Sequence, residues 1–295
     1  MASLVGVYAA SHGPLLIREW ETIPDDERRR LTAAFRELGR RLSIDRPDVI
    51  IEVAPDHWSN FFLDNLPAVC IGIGDSHEGP PEPWMKDFPY KEIKGDGGFA
   101  RHIAQTAMQE DFEPSLSHRL KLDHGFCIPL WRMELGKLPR IVPMIVNSIE
   151  PPLPSIGRCL QWGKLLKKTI ESYSEPLRVA ILATGGLSHS IGERTMGAID
   201  EELDRECIRR FSSPEKELLK FLEKKLPAAG NGTEEIRNWL VAHGAAGGRG
   251  FELVDYLPVP TVLVGCGFAS WTIPAGRRRA APARRKPSAP TARTS

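Results

Sequence analysis

The chain has 295 residues, 41% of them hydrophobic and 26% charged, which suits a globular protein of one large domain or two modest ones. No apolar run approaches the ~20 residues of a membrane helix, and five widely spaced cysteines without a CxxC pair argue for free thiols in a reducing cytoplasm and against a structural zinc site. The net charge of +1 conceals a basic stretch over 276–295, with seven Arg or Lys and no acid, so the body carries −6 and shows no basic stripe for nucleic acid.

In chain order, LVGVYAAS reads as a first strand; it lacks the basic start of a signal peptide. Residues 25–42 have helical spacing, with acids at the start and arginines toward the end. DVIIEVAP and AVCIGIG are buried strands. The Pro-rich stretch 74–94 reads as an insertion or lid without regular structure. A helix is predicted over 97–109. A strand follows in RIVPMIVNS, where Pro143 implies an edge or a bulge. Then come a helix over 155–173, the strand LRVAILATGG and a largely helical 198–225. A short helix over 232–243 is predicted to be capped by Thr233, and PTVLVGCGF is a late strand.

Strands alternating with helices, several of them continuously apolar, predict an α/β fold. It is a three-layer α/β/α single domain over 1–275 with a mixed, largely buried central sheet. The tail over 276–295 lacks apolar periodicity and is expected to be disordered and solvated.

Eight histidines are present, and four stand just beyond a predicted strand or beside a glycine: His12 in AASHGPLL, His57 in APDHWSNFF, His124 in LDHGFCIPL and His189 in GGLSHS. Ligands of open α/β sheets gather beyond the carboxyl ends of the strands, so His12, His57 and His189 are expected on one sheet edge. Two histidines and a carboxylate on one face of a metal suit Fe(II) and leave positions open for substrate and O₂, while unligated histidines can move protons. Glu235 or Glu234 would supply the carboxylate, and Asp56 or Asp123 could orient a histidine from behind. His77, His102, His118 and His243 read as ordinary surface or partly buried residues, and Trp58, Phe61 and Phe62 as core. No phosphate-binding glycine motif and no GxSxG elbow occurs, and Ser188 and His189, being adjacent, should point apart.

The ordered set SHGPLL, APDHWSNFF, LDHGFCIPL, GGLSHS and TEEIRNW resembles the class III (LigB-type) extradiol ring-cleavage dioxygenases, the family of the protocatechuate 4,5-dioxygenase beta subunit. The resemblance spans about residues 3–270. It implies a non-haem Fe(II) enzyme that inserts both atoms of O₂ into a catechol-type ring such as protocatechuate or gallate, in aromatic compound catabolism in the cytoplasm. It implies His12, His57 and Glu235 as metal ligands, His189 as catalytic base and His124 as the second active-site histidine. Glu235 is favoured over Glu234 because it stands four residues before Trp239. It also implies either a homo-oligomer or a hetero-oligomer with a small alpha subunit, with no nucleic-acid or membrane partner. Arg119, Lys121 and Arg237 are candidates for a substrate carboxylate by proximity to motifs, although a solvated face is the default role for each. The alternative is a zinc-dependent or non-catalytic member of the fold, acting as a hydrolase or a binding module.

Overall fold

The computed structural model describes residues 1–273; the basic tail read from the sequence lies outside them. In chain order the elements are β1 (Ser3–Ala10), α1 (Leu15–Arg18), α2 (Asp25–Asp45), β2 (Val49–Ala54), β3 (Val69–Gly72), β4 (Ser76–Glu78), β5 (Glu92–Lys94), α3 (Gly97–Gln109), β6 (Ser115–Ser117) and α4 (His124–Arg132). They continue with β7 (Arg140–Val146), α5 (Ile156–Ser172), β8 (Arg178–Thr184), α6 (Glu201–Arg210), α7 (Glu215–Lys225), α8 (Ile236–Ala245), β9 (Phe251–Val259) and β10 (Val264–Trp271).

Eight strands form one mixed sheet in the order β6-β3-β7-β2-β8-β1-β10-β9. The centre, β7-β2-β8-β1, is parallel, whereas β10 and β9 add antiparallel at one side and β3 runs antiparallel to β7 at the other. β2 and β8 are buried along nearly their whole length, as continuous apolar runs with helices on both faces must be. Alternate side chains feed two cores. Val49, Ile51 and Val53 pack with α3, α5, α7 and α8 on one face, while Ile50 and Ala54 pack with α2 and α4 on the other. The expected three layers are therefore present. Among the described residues no helix is long and apolar enough to cross a membrane, and all five cysteines are free and buried.

Several local expectations give way. β7 is an interior strand, and Pro143 pairs in register with Glu52 without a bulge. The β3 ladder stops at Ile71 opposite Met144, one residue short of Pro143, so the missing N–H falls where β7 has no second neighbour to bond. The region 74–94 is partly regular, because β4 and β5 form a two-stranded antiparallel sheet. The helix expected over 198–225 is two helices, divided ahead of Pro214. Thr233 does not cap α8: Glu235 holds the N-cap position and residues 231–235 form a 3₁₀ turn. Trp58 and Phe62 are exposed rather than core, whereas His77 and His243 are fully buried.

Glu52 projects from the middle of β2 with no exposure, and neither of its carboxylate oxygens has a protein partner. Burial, reinforced by the charge of Asp123, raises its pKa well above the ordinary carboxyl value. The folded form therefore keeps a proton that the unfolded chain releases, so this group makes the fold less stable as pH climbs from the ordinary carboxyl range toward its folded pKa. The slope is about 1.4 kcal/mol per pH unit. Glu52→Gln removes that slope. Thermal melts of the metal-free protein at pH values stepped upward from 5 should show the variant gaining on the native chain until the folded pKa is passed; a constant difference from the first step would contradict a buried neutral Glu52.

Candidate metal centre and active site

The three adjacent parallel strands β2, β8 and β1 deliver the site at their carboxyl ends. His12 follows β1 by two residues, His57 follows β2 by three, and β8 ends at Thr184 before the turn Gly185–Gly186. Glu235 enters from the N-terminus of α8 and is almost wholly buried. Its Oε1 lies 3.5 Å from Nε2 of His12 and 3.5 Å from Nε2 of His57. Those separations exceed the ~2.8 Å of a charge-assisted hydrogen bond and approach the ~3 Å that separates two donors bound at ~2.1 Å on one metal.

The remaining ring nitrogens are already engaged. Nδ1 of His12 is 3.0 Å from Thr184 Oγ1. Nδ1 of His57 is 3.3 Å from Asp123 Oδ2, which also accepts the His57 backbone N–H at 2.7 Å. Asp123, an acceptor when ionised, holds the proton on His57 Nδ1 and turns the Nε2 lone pair inward. Burial opposes charge on His57, but Asp123 and Glu235 outweigh it and push its pKa up to about 10. His12 is drawn below its ordinary value by burial, with Glu235 opposing. Burial would raise the Glu235 carboxyl, yet the surrounding histidines, His12 foremost, hold it well below the usual range. Anionic Glu235 and Asp123 thus favour a cation, whether proton or metal, between the rings.

The glycine turn after β8 serves this carboxylate. Gly185 and Gly186 take φ of +111° and +65°. The Gly186 N–H donates to Glu235 Oε2 at 2.7 Å, while Asn238 Nδ2 and Trp239 Nε1 donate to the carbonyls of Thr184 and Gly185. A Cβ on Gly185 would meet Glu235 Oε2 at 2.6 Å, so side-chain-free backbone is required there.

His189 approaches the other oxygen of Glu235, with Nε2 4.0 Å from Oε2. Its Nδ1 is 2.9 Å from the carbonyl of Leu187. A carbonyl only accepts, so Nδ1 carries the hydrogen and Nε2 is left basic. The ring stands over Gly232, where a Cβ would come within 2.1 Å of Nε2. Behind it, buried Asp204 accepts from the Ser188 N–H, the Ser188 hydroxyl and the Tyr256 hydroxyl at 2.7–2.8 Å. Burial raises Asp204 to about 6 despite those donors. Ser188 and His189 do point to different partners, as adjacent extended residues should. His124 opens α4 with its ring centroid 4.0 Å from that of His57 and 5.8 Å from that of His12, and one ring nitrogen from each of the three falls within 4.8 Å of the others.

Residues 6–265 match the family described as the catalytic LigB subunit of aromatic ring-opening dioxygenase. The chain belongs to this family. It is similar to the 2,3-dihydroxyphenylpropionate/2,3-dihydroxicinnamic acid 1,2-dioxygenase of Klebsiella pneumoniae (strain 342), 25% identical over 319 aligned residues that cover 90% of this chain and 98% of the relative. It is also similar to the gallate dioxygenase of Pseudomonas putida, 32% identical over 167 residues that cover 54% and 47% of the two chains. Among solved structures, an uncharacterized protein of Escherichia coli K12 aligns with a TM-score of 0.60 at 14% identity, covering 90% of this chain and 100% of its own, a likeness of fold. The LigB-family chain is thus an extradiol-type ring-cleavage dioxygenase.

Other sequence candidates fall outside the LigB site. Glu234 pairs with Arg237, and Arg237 is buried, with its Nε donating to the Pro154 carbonyl at 2.8 Å, not solvated as expected. Arg119 and Lys121 are exposed. Asp56 caps its own loop, accepting from the N–H groups of Ser59, Asn60 and Phe61, and among the described residues it accepts from no histidine; Asp123 does the orienting. Sequence reasoning missed Thr184 and Glu82. Thr184 lies inside the expected strand LRVAILATGG, where nothing distinguishes it, and Glu82 carries no spacing signal.

Proposed function

We propose that this LigB-family enzyme is Fe(II)-dependent and cleaves a substituted catechol beside its diol, using O₂. His12, His57 and Glu235 hold the metal, His189 is the base and His124 is the second proton-handling histidine. The observation that carries the reading is the approach of two imidazole Nε2 atoms to a single carboxylate oxygen, each ring fixed from behind. Two histidines and a carboxylate are the donor set of open-sided non-haem iron. When bound, Fe(II) supplies the one-electron chemistry that lets O₂ react with the ring, and it acidifies the hydroxyls of the diol.

The protein does the rest. His189, with Nδ1–H held by Leu187, presents basic Nε2 to take a hydroxyl proton. Glu235 and Asp123 leave the site anionic, which suits a divalent metal and then a ligand that sheds its protons. His124, beside His57, faces the same space and can steady charge on the opening ring. Relatives named for dihydroxyphenylpropionate and gallate support a dihydroxyphenyl substrate.

The test is O₂ uptake by protein loaded anaerobically with Fe(II) and then given protocatechuate, gallate, 2,3-dihydroxyphenylpropionate or 2-aminophenol in air. Stoichiometric uptake with a yellow ring-opened product is expected, lost on chelation and absent with zinc. Tight zinc binding without iron-dependent uptake would overturn the assignment.

A further inference from the structure

The Pro-rich segment between β4 and β5 reaches the site through Glu82. Glu82 Oε1 lies 2.7 Å from Nδ1 of His124 and accepts the His124 backbone N–H at 2.9 Å. One carboxylate oxygen thus takes both N–H groups of the residue that opens α4. The geometry points to Glu82 as the positioning residue of His124, locking its ring with Nδ1–H outward and Nε2 toward His12 and His57.

The segment is built to hold that carboxylate still. Glu82 stands in GPPEPW, between Pro81 and Pro83, and its backbone is extended at φ −73° and ψ 125°, the conformation a following proline enforces. Four residues before it, Glu78 is stitched to the segment leading into His124. Its N–H donates to the Leu120 carbonyl at 2.8 Å, and its carbonyl accepts from Leu122 N–H at 3.0 Å. The Trp84 ring stands 5.6 Å from that of His124 and closes the same side. A carboxylate only accepts, so Nδ1 must donate, and Nε2 is the nitrogen left for the site. His57 with Asp123 and His189 with the Leu187 carbonyl are fixed in the same sense, so three rings share one handedness from three unrelated partners.

This assignment rests on the proposed role of His124, and the experiment separates the two. Nitrogen-15 NMR of histidine-labelled, metal-free protein, with the His124 signals identified by their loss in His124→Gln, reports the tautomer independently of catalysis. The native chain should show Nδ1–H. Glu82→Ala, which removes the acceptor, should lose that preference. Glu82→Gln, which keeps a carbonyl acceptor in place, should retain it. In the iron-loaded enzyme Glu82→Ala should lower kcat about 10- to 100-fold with little change in KM, and Glu82→Gln should recover much of the loss. An unchanged His124 tautomer in Glu82→Ala, or an unchanged kcat in an active enzyme, would overturn the assignment. A tautomer shift in a protein that, loaded with Fe(II), cleaves no catechol would uphold the Glu82 clamp and remove the proposed Fe(II)-catechol chemistry instead.

Discussion

Glu235→Gln should empty the metal centre and abolish ring cleavage. The substitution keeps shape: the amide oxygen can still accept the Gly186 N–H that now bonds Glu235 Oε2 at 2.7 Å, so the junction of β8 with α8 survives. What disappears is the anionic oxygen shared by the Nε2 atoms of His12 and His57. Replacing a residue that merely supports a ligand weakens metal affinity by ~10- to 100-fold, and removing a charged ligand itself should exceed the upper figure. Iron content after equilibrium dialysis, read beside a thermal melt, distinguishes lost metal from lost fold. A folded variant that retains stoichiometric iron and full turnover would remove Glu235 from the ligand set. His12→Ala and His57→Ala should behave alike.

His189→Ala has the second-largest expected effect, and its signature differs. His189 reaches the outer oxygen of Glu235 at 4.0 Å, whereas the other two rings crowd Oε1. Iron binding should therefore persist while kcat falls ~10²- to 10⁴-fold, the usual weight of a positioned general base. Anaerobic titration with catechol should still perturb the visible spectrum of the iron protein. Turnover near that of the native enzyme would mean another group takes the proton. Loss of iron would instead make His189 a ligand.

Much of this was legible because local chemistry leaves marks. Predominantly apolar runs such as DVIIEVAP, bounded by loop residues, read as central strands, and histidines directly after such runs emerge at one edge of a parallel sheet. Other features resisted for local reasons too. Phe251–Val259 and α4 were not anticipated, the first because its half-buried pattern is weak and the second because Pro129 interrupts the helical signal. Arg237 reads as a surface cation, yet α8 is buried on every side, which turns it inward onto Glu234 and Pro154.

The sequence by itself determined the α/β alternation, the buried strands and the placing of His12, His57 and His189 at one sheet edge, since periodicity, glycine turns and residue chemistry are local properties; the choice of Glu235 over Glu234 came only with the family resemblance. Only the tertiary structure decided that β8 lies between β1 and β2. That order puts Thr184 against His12, 172 residues away, brings Asp123 to His57, and lays Glu82 on His124. Such pairings follow from strand order and from loops folding back over the sheet edge, which no local propensity encodes.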